Sequence, residues 1–190
     1  MNTSSFFALI SRMKYIGRWG LMRNAIPENV QEHSHEVAVF AHALGVIRRD
    51  VLGYDDCDVN ALAAQALFHD ASEIFTGDLP TPIKYHNKEI TRAYHEVEDL
   101  AVEKLIALLP EEMRPAYREV TQEDPLVKAA DKLSAYVKCI AERRAGNDEF
   151  LAAEKQTRAA LEAMQLPEVD CFLQHFIPAF EQSLDEFDTM

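Results

Sequence analysis

The sequence predicts an all-α fold that forms one domain over residues 1–190. The chain holds only 6 glycines, and runs of β-branched residues are few. Its long stretches rich in alanine, leucine, glutamate and lysine favour helix. Apolar residues in these stretches recur three and four positions apart, which is the spacing of one helical face. We therefore expect about seven helices and no sheet.

The first long helix is expected to begin after Asn29. An asparagine at this position can accept a backbone N–H of the first turn, and Glu32 stands where the second half of a capping box would stand. The apolar stripe that follows comprises Val37, Phe40, Ala41, Leu44 and Ile47. The stripe carries the predicted helix to about Val51.

A second helix is expected to begin at Asp58 and to end before the loop that Gly77, Pro80 and Pro82 impose. Residues 61–71 are apolar almost all round, so most of this helix should be buried. Further helices are expected over 88–109, 111–121, 125–144, 148–164 and 169–187. They are separated by glycine and proline, at Pro110, Pro125, Gly146 and Pro167.

The charge of the chain limits its partners. A formal net charge of -13 opposes binding to a nucleic-acid polymer or to an anionic membrane. A small anionic substrate remains compatible if positive charge is concentrated locally. Residues 1–27 have no acidic side chain and carry Arg12, Lys14, Arg18 and Arg23. This segment is compatible with a phosphate clamp, with the solvated face of an amphipathic helix, or with a presequence.

Cysteine and apolar content indicate a cytoplasmic protein. The three cysteines have no close pair, which fits neither a disulfide scaffold nor a cysteine-based zinc site. The apolar cluster at residues 6–10 is too short to span a membrane. We therefore expect a soluble protein with free thiols.

The dipeptide His69-Asp70 lies at the end of the apolar stretch. Burying a carboxylate beside an imidazole costs several kcal/mol unless a partner or a metal satisfies both groups. Glu73 follows four positions after His69, so all three side chains would share one region if the helix continued for a turn. Upstream, His33 begins the apolar stripe of the first long helix. His35 and His42 are expected to be ordinary hydrogen-bonded helix histidines.

Three of these residues form a pattern with a later aspartate, Asp131. His33, His69-Asp70, and Asp131 within KAADKL resemble the four-ligand H…HD…D signature of HD-domain phosphohydrolases. Four segments, RWGLMR at 18–23, ENVQEHS at 28–34, HDASE at 69–73 and TGDLPTPIKY at 76–85, resemble those of the bacterial 5′-deoxynucleotidases in this superfamily. The resemblance extends from about residue 6 to residue 151. Without it, Asp131 is one carboxylate among 32 acidic residues.

The resemblance implies an HD-domain helical bundle that forms a homodimer and hydrolyses 2′-deoxyribonucleoside 5′-monophosphates. It implies a metal site made of His33, His69, Asp70 and Asp131. Two imidazoles and two carboxylates suit Mn²⁺, Co²⁺, Fe²⁺, Ni²⁺ or Zn²⁺. Because the additional histidines of binuclear HD enzymes are absent, we expect one divalent ion.

The resemblance also implies roles at the substrate. Arg18 would hold the phosphate, Glu73 would position water or protonate the leaving oxygen, and Asp78 would bind the 3′-hydroxyl or assist the water. Both Asp78 and the single tryptophan, Trp19, are also compatible with structural roles. The implied substrate-binding set comprises Arg18, Trp19, Asp70, Asp78, Leu79, Pro80, Thr81 and Asp131. Lys84 is a weaker candidate for the phosphate.

Two rival functions remain. One is another HD enzyme, either a nucleoside triphosphohydrolase or a cyclic-nucleotide or alarmone phosphodiesterase. The other is a non-catalytic HD module that senses a ligand. Longer phosphate chains would call for more cations near the site, and a non-catalytic module would tolerate loss of a ligand or of Glu73.

Overall fold

The computed structural model describes residues 3–84, 86–122 and 124–187, without the side chain of Thr81. Within these residues the chain forms helices and turns and no strand, so the prediction of an all-α fold is confirmed. The ten α-helices of this part are α1 (Phe6–Ile10), α2 (Val30–Val46), α3 (Val59–Phe68), α4 (Glu73–Thr76), α5 (Thr81–Lys84), α6 (Lys88–Ala107), α7 (Arg114–Val120), α8 (Pro125–Arg144), α9 (Leu151–Ala163) and α10 (Pro167–His175).

The predicted helix starts are confirmed at two caps. Asn29 accepts the Glu32 backbone N–H, and the Glu32 side chain accepts the Asn29 N–H, so both halves of a capping box are present. Asp58 accepts the first backbone N–H groups of α3. After α2, residues Ile47–Val51 form a π-helical turn that completes the expected length.

Two expected helices end earlier than predicted. The second helix does not continue through Glu73, because α3 ends at Phe68, residues 69–72 form a turn, and α4 begins at Glu73. The last helix does not extend to 187 but ends at His175. Pro178 lacks an N–H and its ring would collide with the preceding turn, so tight 3₁₀ turns follow instead.

The main core lies where α2, α3, α8, α9 and α10 meet. It contains the predicted stripe of α2 and an apolar row of α8 formed by Leu126, Ala130, Leu133 and Val137. A smaller cluster under α1 joins Phe6, Ala71, Leu105 and Leu109. The close packing of α2, α3 and α8 brings together the helices that carry His33, His69 and Asp131.

An N-terminal loop, residues 16–29, is fastened to α8 and to the turn after it. The fully buried Glu142 accepts the backbone N–H groups of Ala25 and Ile26, at 2.8 and 3.0 Å, and is paired with Lys138. Asn147 donates to the Arg23 carbonyl at 2.7 Å. The buried Glu142 carboxylate is thus paired and hydrogen-bonded, so it is not left as an uncompensated charge. The loop therefore holds Arg18 and Trp19 in fixed positions relative to α8.

The remaining expectations concern thiols and membranes. Cys57, Cys139 and Cys171 are all free. None of the helices in the described ranges combines the length and the apolar character that crossing a bilayer requires.

Candidate metal centre and active site

Three of the four predicted ligands converge at one point. The ligand atoms of His33 on α2, His69 after α3 and Asp131 on α8 lie within 4.8 Å of one another. Asp70 borders this cluster, with Oδ2 3.1 Å from His69 Nε2 and 3.6 Å from His33 Nε2. The centre thus combines nitrogen and oxygen donors from three helical segments.

The hydrogen bonds of the two imidazoles orient them toward this centre. Nδ1 of His69 lies 2.7 Å from the Ala66 carbonyl oxygen and must donate to it, which leaves the lone pair on Nε2. That Nε2 atom is buried without a hydrogen-bond partner. Nδ1 of His33 lies 3.0 Å from Ser134 Oγ, and its Nε2 lies 3.0 Å from Asp131 Oδ1. Both rings therefore present Nε2 to the carboxylates, and this donor set fits a divalent transition metal.

Two residues that orient His33 were not found from the sequence. Ser134 Oγ donates to Glu36 Oε2 at 2.6 Å, which leaves the Ser134 lone pairs for the His33 N–H. Ser134 follows Asp131 by three positions on α8, and Glu36 follows His33 by three on α2, so each shares a helical face with a ligand. This three-residue spacing from a predicted ligand is the sequence pattern from which both residues could have been identified.

The pKa values show how strongly the centre favours positive charge. Although burial opposes a charge on the His33 imidazole, its hydrogen bonds to Asp131 and Glu28 raise its pKa to about 9. Burial likewise opposes charge on Asp131, yet the contact with His33 lowers the pKa of this carboxyl to about 2. The pKa of Asp70 is lowered further below its ordinary value, against burial, chiefly by His69. A cation at this point would be stabilised by the same carboxylates.

Glu73 faces the cluster although the helix does not continue to it. The turn at 69–72 places it at the first position of α4, where its side chain is buried and Oε2 has no hydrogen-bond partner. Burial, together with repulsion from Asp70 and Asp78, raises the pKa of Glu73 to about 9. This raised pKa favours the neutral carboxyl, which can donate a proton.

Arg18 is the cation of this site. Its Nη1 donates to Asp70 Oδ2 at 3.2 Å, and its Nε lies 3.2 Å from Glu28 Oε1. The guanidinium is largely buried, with 12% of its side chain exposed. The other basic residues of the segment do not share this position, since Arg12 and Lys14 lie against Tyr15 and the exposed Arg23 pairs with Glu149.

Trp19 stands beside Arg18 with a backbone that a bulky residue rarely adopts. Its φ is +59°, and its indole N–H donates to Glu28 Oε2 at 3.1 Å. The ring is half-buried and lies 5.3 Å from the Phe150 ring centre. One face of the indole is thus packed while part of the residue stays accessible.

The loop after α4 brings Asp78 to the same region. Burial raises the pKa of Asp78, and the facing Arg18 lowers it in part, as does the Trp19 backbone amide. Leu79 and Pro80 follow in this loop and are half-buried, whereas the predicted Thr81 side chain lies outside the described part of the chain. Lys84 Nζ lies 2.7 Å from Glu98 Oε1, so α6 provides a counter-charge for it.

The two other histidines of α2 lie apart from the predicted ligands. His35 and His42 are exposed, in contrast to the buried His33. Both were predicted to be hydrogen-bonded helix histidines, but among the described residues neither side chain has a hydrogen-bond partner, and both lie on the solvent side of α2.

Comparison with known proteins extends over nearly the whole chain. The family model described as "5'-deoxynucleotidase YfbR-like" matches residues 5–180. The 5′-deoxynucleotidases YfbR of Shigella boydii and of Escherichia coli are each 46% identical to this chain over 193 residues, which cover 98% of this chain and 96% of the relative.

Solved structures share the fold. An HD-domain phosphohydrolase from Listeria innocua superimposes with a TM-score of 0.80 at 26% identity, covering 93% of this chain and 88% of that one. The HD phosphohydrolase DatZ of cyanophage S-2L, solved with dA and one catalytic Zn²⁺, superimposes with a TM-score of 0.62 at 24% identity over 93% and 96% of the two chains. The predicted HD-domain helical bundle is confirmed by these superpositions.

Proposed function

Since the chain belongs to the YfbR-like family of 5′-deoxynucleotidases, we propose that it hydrolyses 2′-deoxyribonucleoside 5′-monophosphates to a deoxynucleoside and phosphate. The supporting observation is the convergence of His33, His69 and Asp131 beside a buried Glu73, whose pKa is raised, and a buried Arg18. The domain that performs this reaction would span residues 1–190, and a cytoplasmic location is compatible with free thiols and a substrate of this kind.

His33, His69, Asp70 and Asp131 would hold one divalent metal ion. Asp70 joins the set because its Oδ2 lies within 3.6 Å of both Nε2 atoms. Mn²⁺, Co²⁺, Fe²⁺, Ni²⁺ and Zn²⁺ all suit such a mixed nitrogen and oxygen site. When bound, the ion supplies Lewis acidity to the phosphoryl group and activates water for attack.

Arg18 would bind the phosphate. Its planar guanidinium can make two parallel hydrogen bonds to phosphate oxygens, and its burial strengthens them. In the structure its Nη1 donates to Asp70, at the border of the centre. Bidentate binding would hold the phosphorus for in-line attack and offset charge in the transition state.

Glu73 would have a role in proton transfer, and Asp78 would have a role in binding the sugar. A protonated Glu73 is suited to donate to the leaving 5′-oxygen, since its pKa is raised to about 9. Asp78 lies near Arg18 and the Trp19 backbone amide, where its carboxylate can accept a hydrogen bond from the 3′-hydroxyl. Leu79, Pro80 and Thr81 would line the sugar beside it.

The rivals account less well for these features. A triphosphate or an alarmone calls for several cations, and of the four basic residues in segment 1–27 only Arg18 contacts a predicted ligand. A non-catalytic module has no need of a buried carboxyl with a raised pKa, and here Glu73 and all four proposed ligands are present.

Sugar selectivity tests the proposal. With the phosphate fixed by Arg18, the rigid indole of Trp19 would occupy the space that a 2′-hydroxyl needs and would offer it no hydrogen bond. Exclusion and desolvation of this hydroxyl cost a few kcal/mol, so dAMP should exceed AMP in kcat/KM by about a hundredfold or more. Both purine and pyrimidine deoxynucleotides should react, and 3′-monophosphates should not.

The Trp19→Ala variant should bring the two kcat/KM values closer together. Tyr15→Ala removes an exposed aromatic ring from the same segment and should keep the wild-type preference. A phosphate-release assay with Mn²⁺ or Co²⁺ measures all of these values. Equal values for AMP and dAMP in the wild-type enzyme would contradict the role of Trp19.

A homodimer would cover an exposed apolar stripe on α6. Ile90, Ala93, Val97 and Leu100 are all exposed and are spaced by three, four and three positions, as in helices that pack against each other. Leu100 is 62% exposed and continues the stripe, and a contiguous exposed apolar patch is typical of an interaction site. In a homodimer the α6 stripe of one copy would pack against the same stripe of the second copy, so that both stripes would be buried.

Sedimentation tests this assembly. Wild-type protein should sediment as a dimer and Leu100→Glu as a monomer, because a charge in an apolar interface cannot be satisfied there. Leu184→Glu, at a leucine that is 66% exposed near the end of the described chain, is the matched control and should remain dimeric. A Leu100→Glu dimer would place the contact elsewhere.

A further inference from the structure

Glu28, the first residue of the ENVQEHS segment, connects three residues of the proposed site, although no role was predicted for it. Its Oε2 accepts the Trp19 indole N–H at 3.1 Å, and its Oε1 lies 3.2 Å from Arg18 Nε and 3.4 Å from His33 Nδ1. Its backbone carbonyl also accepts the Arg18 N–H at 3.0 Å. Only 14% of the side chain is exposed, so water competes little for these contacts.

The backbone of Trp19 explains why such a contact is needed. A φ of +59° is unfavourable for a bulky residue and persists only when its surroundings enforce it. The Trp19 carbonyl accepts the Met22 N–H at 2.8 Å, which closes the turn but does not fix the side chain. The indole N–H has Glu28 as its acceptor. The ring is therefore oriented by this bond together with its packing on Phe150.

We propose that Glu28 is a positioning residue that sets sugar selectivity by holding the Trp19 indole at a fixed distance and orientation relative to Arg18. The inference rests on the proposed function, in which Arg18 fixes the phosphate and Trp19 excludes the 2′-hydroxyl. One carboxylate contacts both residues through its two oxygens, so the distance between phosphate clamp and indole is set by a single planar group. Loss of the indole contact releases the ring, whereas His33 keeps its hydrogen bonds to Ser134 and Asp131.

The lone tryptophan permits a direct measurement of this position. Because the chain has only 1 tryptophan, its fluorescence reports on Trp19 alone. Glu28→Leu removes the acceptor and should raise the acrylamide quenching constant and shift the emission. Glu28→Gln retains an amide oxygen that can accept the indole N–H, so its quenching should stay near that of the wild type. Glu32→Gln, a change at an exposed glutamate of the same segment, is the matched control.

The same variants should differ in selectivity. Glu28→Leu should lower the ratio of kcat/KM for dAMP over AMP about tenfold, the usual effect of one hydrogen bond to a charged group. Glu28→Gln should keep most of the ratio, although the loss of the carboxylate charge beside Arg18 should lower both kcat/KM values together. A residue that only stabilised the fold would change both substrates alike and leave the ratio unaltered.

A double variant isolates the route of the effect. Trp19→Phe removes the indole N–H without altering Glu28, so it should lower the ratio by a similar factor, and adding Glu28→Leu should lower it no further. A further drop would assign the effect of Glu28 to another partner and overturn the proposal. If Glu28→Leu does not fold, as judged by circular dichroism, an unchanged ratio in Trp19→Phe would overturn it equally.

The failure of the inference is separable from the failure of the proposed function. A wild-type enzyme without sugar preference contradicts the role of Trp19, and unaltered quenching in Glu28→Leu then decides against Glu28 as well. A wild-type preference that Glu28→Leu preserves, with unaltered quenching, contradicts the role of Glu28 alone.

Discussion

A variant that carries both Asp70→Ala and Asp131→Ala is expected to purify without bound metal and to release no phosphate. Loss of one ligand from a four-ligand site already weakens affinity strongly, and here both carboxylates that stabilise a cation beside His33 and His69 are removed. Elemental analysis after incubation with Mn²⁺ or Co²⁺, combined with a phosphate-release assay on dAMP, measures both effects. Chelation of the wild-type enzyme should abolish turnover in the same way, and added metal should restore it.

The control for this variant is Asp170→Ala, which removes an exposed carboxylate from α10. It should retain both metal and activity. Full metal content in the double variant would show that the ion is held by other residues, and the proposed centre would have to be abandoned.

Glu73→Gln is expected to lower kcat by roughly 10² to 10⁴ while metal content and KM stay near their wild-type values, which is the usual result of losing a positioned acid or base. Glutamine fills the same buried volume but has no proton to donate. Glu111→Gln, at an exposed residue, should have no effect. Near-normal turnover in Glu73→Gln would return Glu73 to a structural role.

The pH profile adds a second measurement. The protonated form of Glu73 is the active form in this mechanism, so the wild-type rate should fall as pH rises through its pKa. Burial and the neighbouring carboxylates raise the pKa of Glu73 from 4.5 to about 9. A bound metal ion would lower this pKa again, so the descending limb of the pH profile should lie between these two values. The limb should be missing in Glu73→Gln.

The sequence best predicted the features that depend on residues close to one another along the chain. The capping residues Asn29 and Asp58 bond to groups within three positions, so their roles are visible in short segments. The break in the helix after Phe68 was not visible, because the segment from His69 to Glu73 contains neither glycine nor proline. By contrast, Pro178 marked the end of α10, and the prediction of a helix to 187 disregarded it.

The site depended on long-range information. No spacing rule connects Asp131 to His33, and only the family resemblance placed them together before the structure did. Glu28 was missed for a related reason, since its side chain acts on residues nine and ten positions earlier across a loop, where no periodic pattern applies. Ser134 and Glu36 were accessible in principle, because each lies one helical turn from a ligand.

The distances along the chain between these partners determine when the site can form during synthesis. His33 and Asp131 are 98 positions apart. The loop that carries Arg18 is held by a hydrogen bond from the Asn147 side chain to the Arg23 carbonyl, which are 124 positions apart. At ribosomal rates of about 5–20 residues per second, His33 waits some 5–20 seconds for its partner on α8. Once Asp70 has been added, the nascent chain holds His33, His69 and Asp70 but lacks Asp131, the carboxylate that would complete the proposed set. Metal capture is therefore expected to follow the emergence of α8 from the ribosome.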